Sequence, residues 1–218
     1  MQNIPRIFID EKLDSGKTVS VDKNVVHYLR RVMRRDDCLV FNGGNEYNAT
    51  LSDDNKYMII REKTEHIDPS NDLVLYFAPV KKIDELINMA TQMGIGTFVP
   101  VITNRTVASH INWNRIRKIM IEASEQSNRN SVPKLQEPIK FDSLNLKDLI
   151  VADERFAHGK ENNNEKISGK RLLVGPEGGF SPDEFEKMDS AGVIGLSLGE
   201  TILRAETAAV VAIAKVLN

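Results

Sequence analysis

Two glycine-bearing stretches near the end of the sequence have the composition of ligand-binding turns. Residues 175–180 read Gly-Pro-Glu-Gly-Gly-Phe, and residues 198–204 read Leu-Gly-Glu-Thr-Ile-Leu-Arg. Because glycine has no side chain, each stretch can bring bare backbone N–H and C=O groups against a flat ligand. We therefore predict a binding site at these turns, formed largely by main chain. The alternative is a pair of tight turns without a ligand.

The first stretch does not match the patterns that bind phosphate groups. It lacks the G-x-G-x-x-G spacing of dinucleotide folds and the G-K-[ST] of phosphate loops. Pro176 removes an N–H donor, and Glu177 adds a negative charge. The pattern therefore disfavours dinucleotide and triphosphate ligands.

Residues 195–199 read Gly-Leu-Ser-Leu-Gly, which formally matches the nucleophile elbow of α/β-hydrolases. In those enzymes an acidic residue and then a histidine follow the serine along the chain. Here the last histidine is His158, which precedes Ser197. The order disfavours a hydrolase and indicates that Ser197 is a strand residue.

The elements that must position these turns alternate between short apolar runs and helical patterns from Leu73 onward. This alternation predicts an α/β fold with a buried parallel sheet. In such sheets ligands bind beyond the carboxyl ends of the strands, where both glycine-bearing stretches fall. The predicted strands are residues 73–80, 97–102, 149–152, 171–175 and 193–198. The predicted helices are residues 83–94, a segment around 116–123, a segment starting at the Ser181 cap, and residues 206–217.

The first 70 residues have a different, β-rich pattern. Asp22 has the residue type of a helix cap, and the helix that follows is expected to run to about Arg35. Strands are predicted at residues 6–9, 38–41, 47–51 and 57–61. We expect a small domain at 1–70 and a larger one at 71–218.

The predicted helix of the first domain has one basic face. At 100° per residue, four basic-type side chains fall opposite the apolar ones, Val25, Val26, Leu29, Val32 and Met33. Guanidinium groups bind phosphates bidentately, so the pattern favours binding to the phosphates of a polyanion over a merely solvated face. The residues predicted to make such contacts are His27, Arg30, Arg31 and Arg34, with Arg105 from a weaker second group.

Composition narrows the class of protein. Hydrophobic residues make up 41% and charged residues 28% of 218, with a net charge of -2, which are ordinary globular values. The single Cys38 and the scattered histidines give neither an intrachain disulfide nor zinc spacing, so no metal is expected. No apolar run approaches the roughly 20 residues of a membrane span, and no signal pattern opens the chain. We expect a cytoplasmic protein.

Both stretches together, Leu172-Leu-Val-Gly-Pro-Glu-Gly-Gly-Phe-Ser-Pro-Asp-Glu184 and Leu198-Gly-Glu-Thr-Ile-Leu-Arg-Ala-Glu-Thr-Ala208, are similar to motifs of the ribosomal RNA small subunit methyltransferase E family. This family belongs to the SPOUT class. The resemblance extends over the whole chain, including Arg6-Ile-Phe-Ile9, the basic helix, Glu-Gln-Ser-x-Arg at 125–129 and Val132-Pro133.

The resemblance implies a fold, a reaction and partners. The implied fold is a trefoil-knotted parallel sheet with helices on both faces, preceded by a PUA-like β-barrel that binds RNA. The implied reaction is S-adenosylmethionine-dependent methylation of the N3 of a uridine in 16S ribosomal RNA. The implied enzyme is a homodimer whose partner is that RNA or the small ribosomal subunit.

Combined with the glycine-bearing stretches, the resemblance assigns residues to the site. Arg204 is expected to stabilise negative charge on the uracil oxygens as N3 loses its proton. Arg129, with Glu125 nearby, is expected to reach the target base. The expected cofactor-binding residues are Gly175, Pro176, Glu177, Gly178, Gly179, Leu198, Gly199, Ile202, Leu203 and Thr207.

The sequence departs from the family pattern at several positions. Met89 and Gln92 stand where relatives usually have charged residues, and Asn128 replaces a usual glycine. Glu200-Thr201 replaces a more typical Pro-Arg pair. Two alternatives stay open: a non-catalytic RNA-binding factor for ribosome assembly, and a methyltransferase with another RNA target.

Overall fold

The computed structural model describes residues 4–68, 72–107, 111–160 and 169–217. The chain forms two compact units. The first comprises Met1–Pro69 and Ile121–Val132, and the second comprises Ser70–Met120 and Pro133–Asn218. No described helix is long and apolar enough to cross a membrane.

The first unit contains a five-stranded sheet in the order β1-β3-β4-β5-β2. β1 pairs parallel with β3, and the other ladders are antiparallel. No described ladder joins β1 to β2, so this is an open sheet. Its strands are β1 Arg6–Phe8, β2 Thr18–Ser20, β3 Asp37–Asn42, β4 Asn45–Leu51 and β5 Tyr57–Lys63.

The predicted basic helix is shorter and less regular than expected. Asp22 caps α1, Lys23–His27, by accepting hydrogen bonds from the N–H groups of Asn24 and Val25. A π-helical turn, Tyr28–Met33, follows and ends at Arg34 in the left-handed conformation. The wider π turn moves Val32 off the apolar face, leaving it 62% exposed while Leu29 is fully buried.

The second unit contains a parallel sheet, as predicted. Its strands run in the order β12-β10-β11-β6-β7-β8, and β9 also pairs with β7. The strands are β6 Val74–Phe77, β7 Thr97–Ile102, β8 Lys134–Leu135, β9 Ile139–Lys140, β10 Ile150–Ala152, β11 Arg171–Val174 and β12 Ile194–Leu196. The helices are α2 Ile83–Gln92, α3 Trp113–Gln126, α4 Pro182–Ser190 and α5 Ala205–Leu217. The end of α3 belongs to the first unit.

Both faces of the parallel sheet are covered. On one face Leu173 of β11 belongs to an apolar cluster with Phe180 and Met188 of α4. The neighbouring Leu172 points the other way and is also fully buried. A strand buried on both faces reads as a continuous apolar run, which is why the sequence predicted these strands.

Candidate functional site

A cavity of about 790 Å³ lies in the second unit at the carboxyl ends of the strands. Its walls come from the segments after β7, β10, β11 and β12, which includes both glycine-bearing turns. This volume falls in the range of roughly 300 to 1,000 Å³ typical of small-molecule sites. Nine of the predicted cofactor-binding residues line it: Gly175, Pro176, Glu177, Gly178, Gly179, Leu198, Gly199, Ile202 and Leu203.

The turn after β11 requires glycine at two positions. Gly179 has φ +68°, and a Cβ there would lie 2.3 Å from Oε1 of Glu154. A Cβ at Gly175 would lie 2.8 Å from the Phe180 ring. At Gly178, by contrast, a Cβ would make an ordinary contact of 3.5 Å with Arg105. Gly175 and Gly179 therefore lack room for a Cβ, whereas Gly178 has room for one.

The segment after β7 fixes this turn and the helix that follows it. Nη1 of Arg105 donates to the carbonyl of Gly178 at 2.9 Å. Asn104 donates its N–H to Glu184 at 2.9 Å and its side-chain amide to Ser181 at 3.1 Å. Ser181 and Glu184 form the predicted capping box of α4. Arg105, predicted to bind RNA, is thus placed at the cavity and engaged by the glycine-bearing turn.

The wall after β10 is a charged network that the sequence patterns did not predict. The buried carboxylate of Asp153 pairs with Arg155 at 2.8 Å and Lys160 at 2.9 Å. Burial works against ionisation of Asp153, but the hydrogen bonds from both cations hold its pKa below its usual value. Arg155 also pairs with Asp189 of α4 at 2.6 Å and lies 4.0 Å from the centre of the Phe185 ring. An acidic pair directly after a predicted strand was the available signal.

Arg204 lines the cavity directly before α5. Its side chain is exposed and forms no hydrogen bond or ion pair with any residue that the structure describes. The guanidinium group is therefore available to a ligand. Thr207 lies exposed on α5 and is not among the lining residues, whereas Ala205 and Ala208 of the same helix are, so the cofactor-binding role of Thr207 stays a prediction.

The other two predicted catalytic residues belong to the first unit and do not line the cavity. Glu125 accepts a hydrogen bond from the N–H of Phe8 at 2.9 Å, and burial raises its pKa. Arg129 is 6% exposed, and burial lowers its pKa. Their catalytic roles stay predictions.

Asn128 occupies the position of the usual glycine, and its backbone is left-handed, with φ +60°. That conformation explains why glycine is usual there. Asparagine tolerates that conformation better than most residues. Its carbonyl lies 2.9 Å from Nε2 of His66. The departure at Gln92 is an exposed amide bonded to Asn88 on the same helix at 2.5 Å. Thr201 lines the cavity, Glu200 is exposed beside it, and nothing in the structure explains Met89.

A second cavity, of about 640 Å³, lies in the first unit beside the basic helix. His27, Arg30 and Arg31 line it. Arg30 is already engaged, because it pairs with Asp36 and donates to Asn55 at 2.9 Å. Arg31 and Arg34 are exposed and have no side-chain partner among the described residues. These two, rather than Arg30, are the cations available to a polyanion.

Similarity to known proteins identifies the family of this fold and cavity. A family model described as RNA methyltransferase domain matches residues 68–217, so the chain belongs to the RNA methyltransferases. Among curated proteins, it is 35% identical to the ribosomal RNA small subunit methyltransferase E of Rickettsia conorii, with 97% of this chain and 94% of that protein covered. The chain belongs to the ribosomal RNA small subunit methyltransferase E family.

Further relatives agree with this assignment. The protein of the same name from Buchnera aphidicola is 28% identical, with 97% of this chain and 95% of that protein covered. The crystal structure of a ribosomal RNA small subunit methyltransferase E from Neisseria gonorrhoeae bound to S-adenosyl methionine matches with a TM-score of 0.81. That match has 27% identity and covers 97% of this chain and 96% of the other.

The residues that line the cavity fit such a cofactor. Its walls combine glycine backbone with apolar side chains, which suits an adenine ring and the aliphatic carbons of a methionine chain. Among the described residues, no group of three or more His, Cys, Asp or Glu could hold a metal ion. Methyl transfer from a sulfonium needs the donor and the acceptor nitrogen to be positioned and a proton to be removed, which is chemistry that side chains can perform.

Proposed function

We propose that this protein transfers a methyl group from S-adenosylmethionine to the N3 of a uridine in 16S ribosomal RNA of the small ribosomal subunit. The observation that carries the proposal is the convergence of nine predicted cofactor residues on one cavity at the strand ends. Membership of the ribosomal RNA small subunit methyltransferase E family supports it.

The glycine-bearing turns would hold the cofactor by main-chain contacts. Gly175 to Gly179 form one wall, and Leu198, Gly199, Ile202 and Leu203 form another. When bound, S-adenosylmethionine supplies an electrophilic methyl group on a positively charged sulfur. The chain must then hold the uracil in line with that methyl group and stabilise the base as N3 loses its proton.

Arg204 is the best-placed residue for the second task. Its free guanidinium at the cavity can bind the uracil oxygens, where negative charge accumulates after deprotonation. Glu125 and Arg129 are proposed to contact the target base, supplied by the partner protomer of a homodimer. Large apolar side chains exposed in the second unit support a protomer interface: Ile102, Val107, Ile194 and Leu217.

We also propose a division of labour along the chain. Residues 1–70 would be the RNA-binding domain, with the open sheet as part of a PUA-like barrel. Residues 71–218 would be the methyltransferase domain, with a trefoil knot near the cofactor cavity. The non-consecutive order of the parallel strands supports the knotted arrangement.

Mass spectrometry of ribosomal RNA tests the activity. We expect 16S RNA from cells without the gene to lack one methylated uridine that wild-type cells contain. In vitro, purified protein should transfer tritium from labelled S-adenosylmethionine to small subunits from the deletion cells. Binding of those subunits without transfer would favour a non-catalytic assembly factor. Methylation of another RNA would show that the protein is a methyltransferase with a different RNA target.

Charge reversal on the basic helix tests the RNA-binding surface. We expect Arg31→Glu combined with Arg34→Glu to weaken binding to small subunits, because both guanidinium groups are exposed and free to bind phosphates. The slope of log affinity against log salt should fall by about one for each phosphate that the variant no longer binds. Filter binding across a salt series measures both quantities.

Lys12→Glu combined with Lys63→Glu is the matched control, since both lysines are exposed on the same unit but lie outside the basic helix. Cofactor affinity should stay constant in both proteins. An equal loss of RNA affinity in the control would mean that net charge, not this surface, governs binding.

A further inference from the structure

Glu154 is a cavity residue to which the proposed function gives no role. It is the first residue of the short 3-10 helix Glu154–His158 that follows β10, and its half-buried side chain lines the cavity. Its Oε1 accepts a hydrogen bond from the N–H of Phe180 at 3.2 Å, so the carboxyl group lies against the glycine-bearing turn. Burial raises the pKa of Glu154, because removal from water disfavours the ionised form.

Among the cations of the cavity, Arg105 and Arg155 are engaged by other groups, and Arg204 forms no ion pair with Glu154. Arg155 pairs with Asp153 and Asp189, and Lys160 pairs with Asp153. Arg105 is bound to the Gly178 carbonyl. Within the described part of the chain, no cation forms an ion pair with Glu154 itself. Arg155 attracts Glu154 only through space, so the ionised carboxylate places a negative charge in the cavity without an ion-pair partner of its own.

The proposed methyl donor and its product differ by one positive charge. S-adenosylmethionine carries a sulfonium, whereas S-adenosylhomocysteine carries a neutral thioether after the methyl group has left. In a partly dehydrated cavity a carboxylate attracts a cation over several ångströms, so this preference does not depend on direct contact. A cavity that contains a carboxylate without an ion-pair partner should therefore bind the donor more tightly than the product.

We propose that Glu154 is a specificity-determining residue whose carboxylate makes the cavity prefer the cationic methyl donor over the neutral-sulfur product. This inference rests on the proposed function. Because positive charge on sulfur fades as the methyl group leaves, the carboxylate stabilises bound donor more than the transition state. Its effect therefore lies in donor affinity and product release.

Calorimetry with both ligands tests the inference. Glu154→Gln keeps the size of the side chain and an oxygen that can accept from Phe180, but removes the charge. We expect its affinity for S-adenosylmethionine to fall about tenfold, the scale of one charge interaction at the edge of a cavity. Affinity for S-adenosylhomocysteine should change little, so the ratio of the two dissociation constants should drop by about the same factor.

Two further variants serve as controls. Glu154→Asp retains the charge and should keep most of the wild-type ratio. Glu186→Gln removes one negative charge from an exposed position outside this cavity and should leave the ratio unchanged. If Glu154→Gln unfolds at the temperature of the calorimetry, Glu154→Ala replaces it. The smaller alanine side chain lets water accept the hydrogen bond from the Phe180 N–H.

The outcomes separate this inference from the function on which it rests. Wild-type protein that binds both ligands, with an unchanged ratio in Glu154→Gln, overturns the role of Glu154 alone. An equal loss for both ligands also overturns it and makes Glu154 a general binding residue. Wild-type protein that binds neither ligand overturns the proposed cofactor, and the role of Glu154 with it.

Discussion

Gly178→Val is expected to raise the dissociation constant for S-adenosylmethionine about a hundredfold or more, a loss of about 3 kcal/mol of binding free energy, because the valine side chain would overlap the cofactor. Gly178 lines the cavity, and its backbone conformation does not require glycine. A Cβ there meets only Arg105, at an ordinary 3.5 Å. The fold therefore has room for the first carbon of the added side chain, and we expect the larger valine to act through the space that the cofactor would occupy. Isothermal titration calorimetry measures the affinity.

The control uses the same position and its neighbour. Gly178→Ala should give a smaller loss than valine, and both variants should melt within about 2 °C of the wild type, as expected for exposed positions. Gly179→Ala should instead lower the melting temperature, because Gly179 has a positive φ and lies against Glu154. Undiminished affinity in Gly178→Val would place the cofactor elsewhere.

The parallel sheet could be predicted because its signal is local. Thr97–Ile102 is an apolar run bounded by polar residues, and the strand has the predicted bounds. Ser181 and Glu184 form the capping box that their spacing indicated. The two-residue strands β8 and β9 were missed because periodicity needs about four residues to show.

The organisation of the first unit depends on long-range contacts that no local pattern reveals. Arg6 bonds the carbonyl of Ser124 at 3.3 Å and the side chain of Asn130 at 2.6 Å. These contacts join residues more than a hundred positions apart and bring the segment 121–132 into the first unit. The Glu-Gln-Ser-x-Arg segment at 125–129 therefore lies with the N-terminal strands rather than at the cavity.

The two glycine-bearing turns of the cavity could be predicted from local sequence, whereas the charged wall after β10 was missed because contacts between distant side chains form it. Glycine spacing after a strand identified the turn at 175–179, since only a turn of that kind needs bare backbone there. The wall at Asp153 depends on an ion pair between Arg155 and Asp189, which are 34 positions apart. The sequence signal for that wall was that its residues directly follow a predicted strand, more than which residue types they are.

Arg204→Ala is expected to lower the turnover number by roughly 10²- to 10³-fold, the usual cost of removing one group that stabilises developing negative charge. The Arg204 side chain lines the cavity and has no partner among the described residues, so truncation leaves no broken ion pair in the protein. The melting temperature and the affinity for S-adenosylmethionine should therefore stay close to wild type. Single-turnover transfer to small subunits, with donor and RNA both saturating, measures the effect on the chemical step.

The conservative variant separates charge from shape. Arg204→Lys keeps the positive charge but loses the planar fork, so it should recover part of the lost rate. A parallel loss of donor affinity in Arg204→Ala would assign the guanidinium to the carboxylate of the cofactor instead of the uracil. Full turnover in Arg204→Ala would remove this residue from catalysis and leave the deprotonated base to be stabilised by groups from the first unit or from the partner protomer.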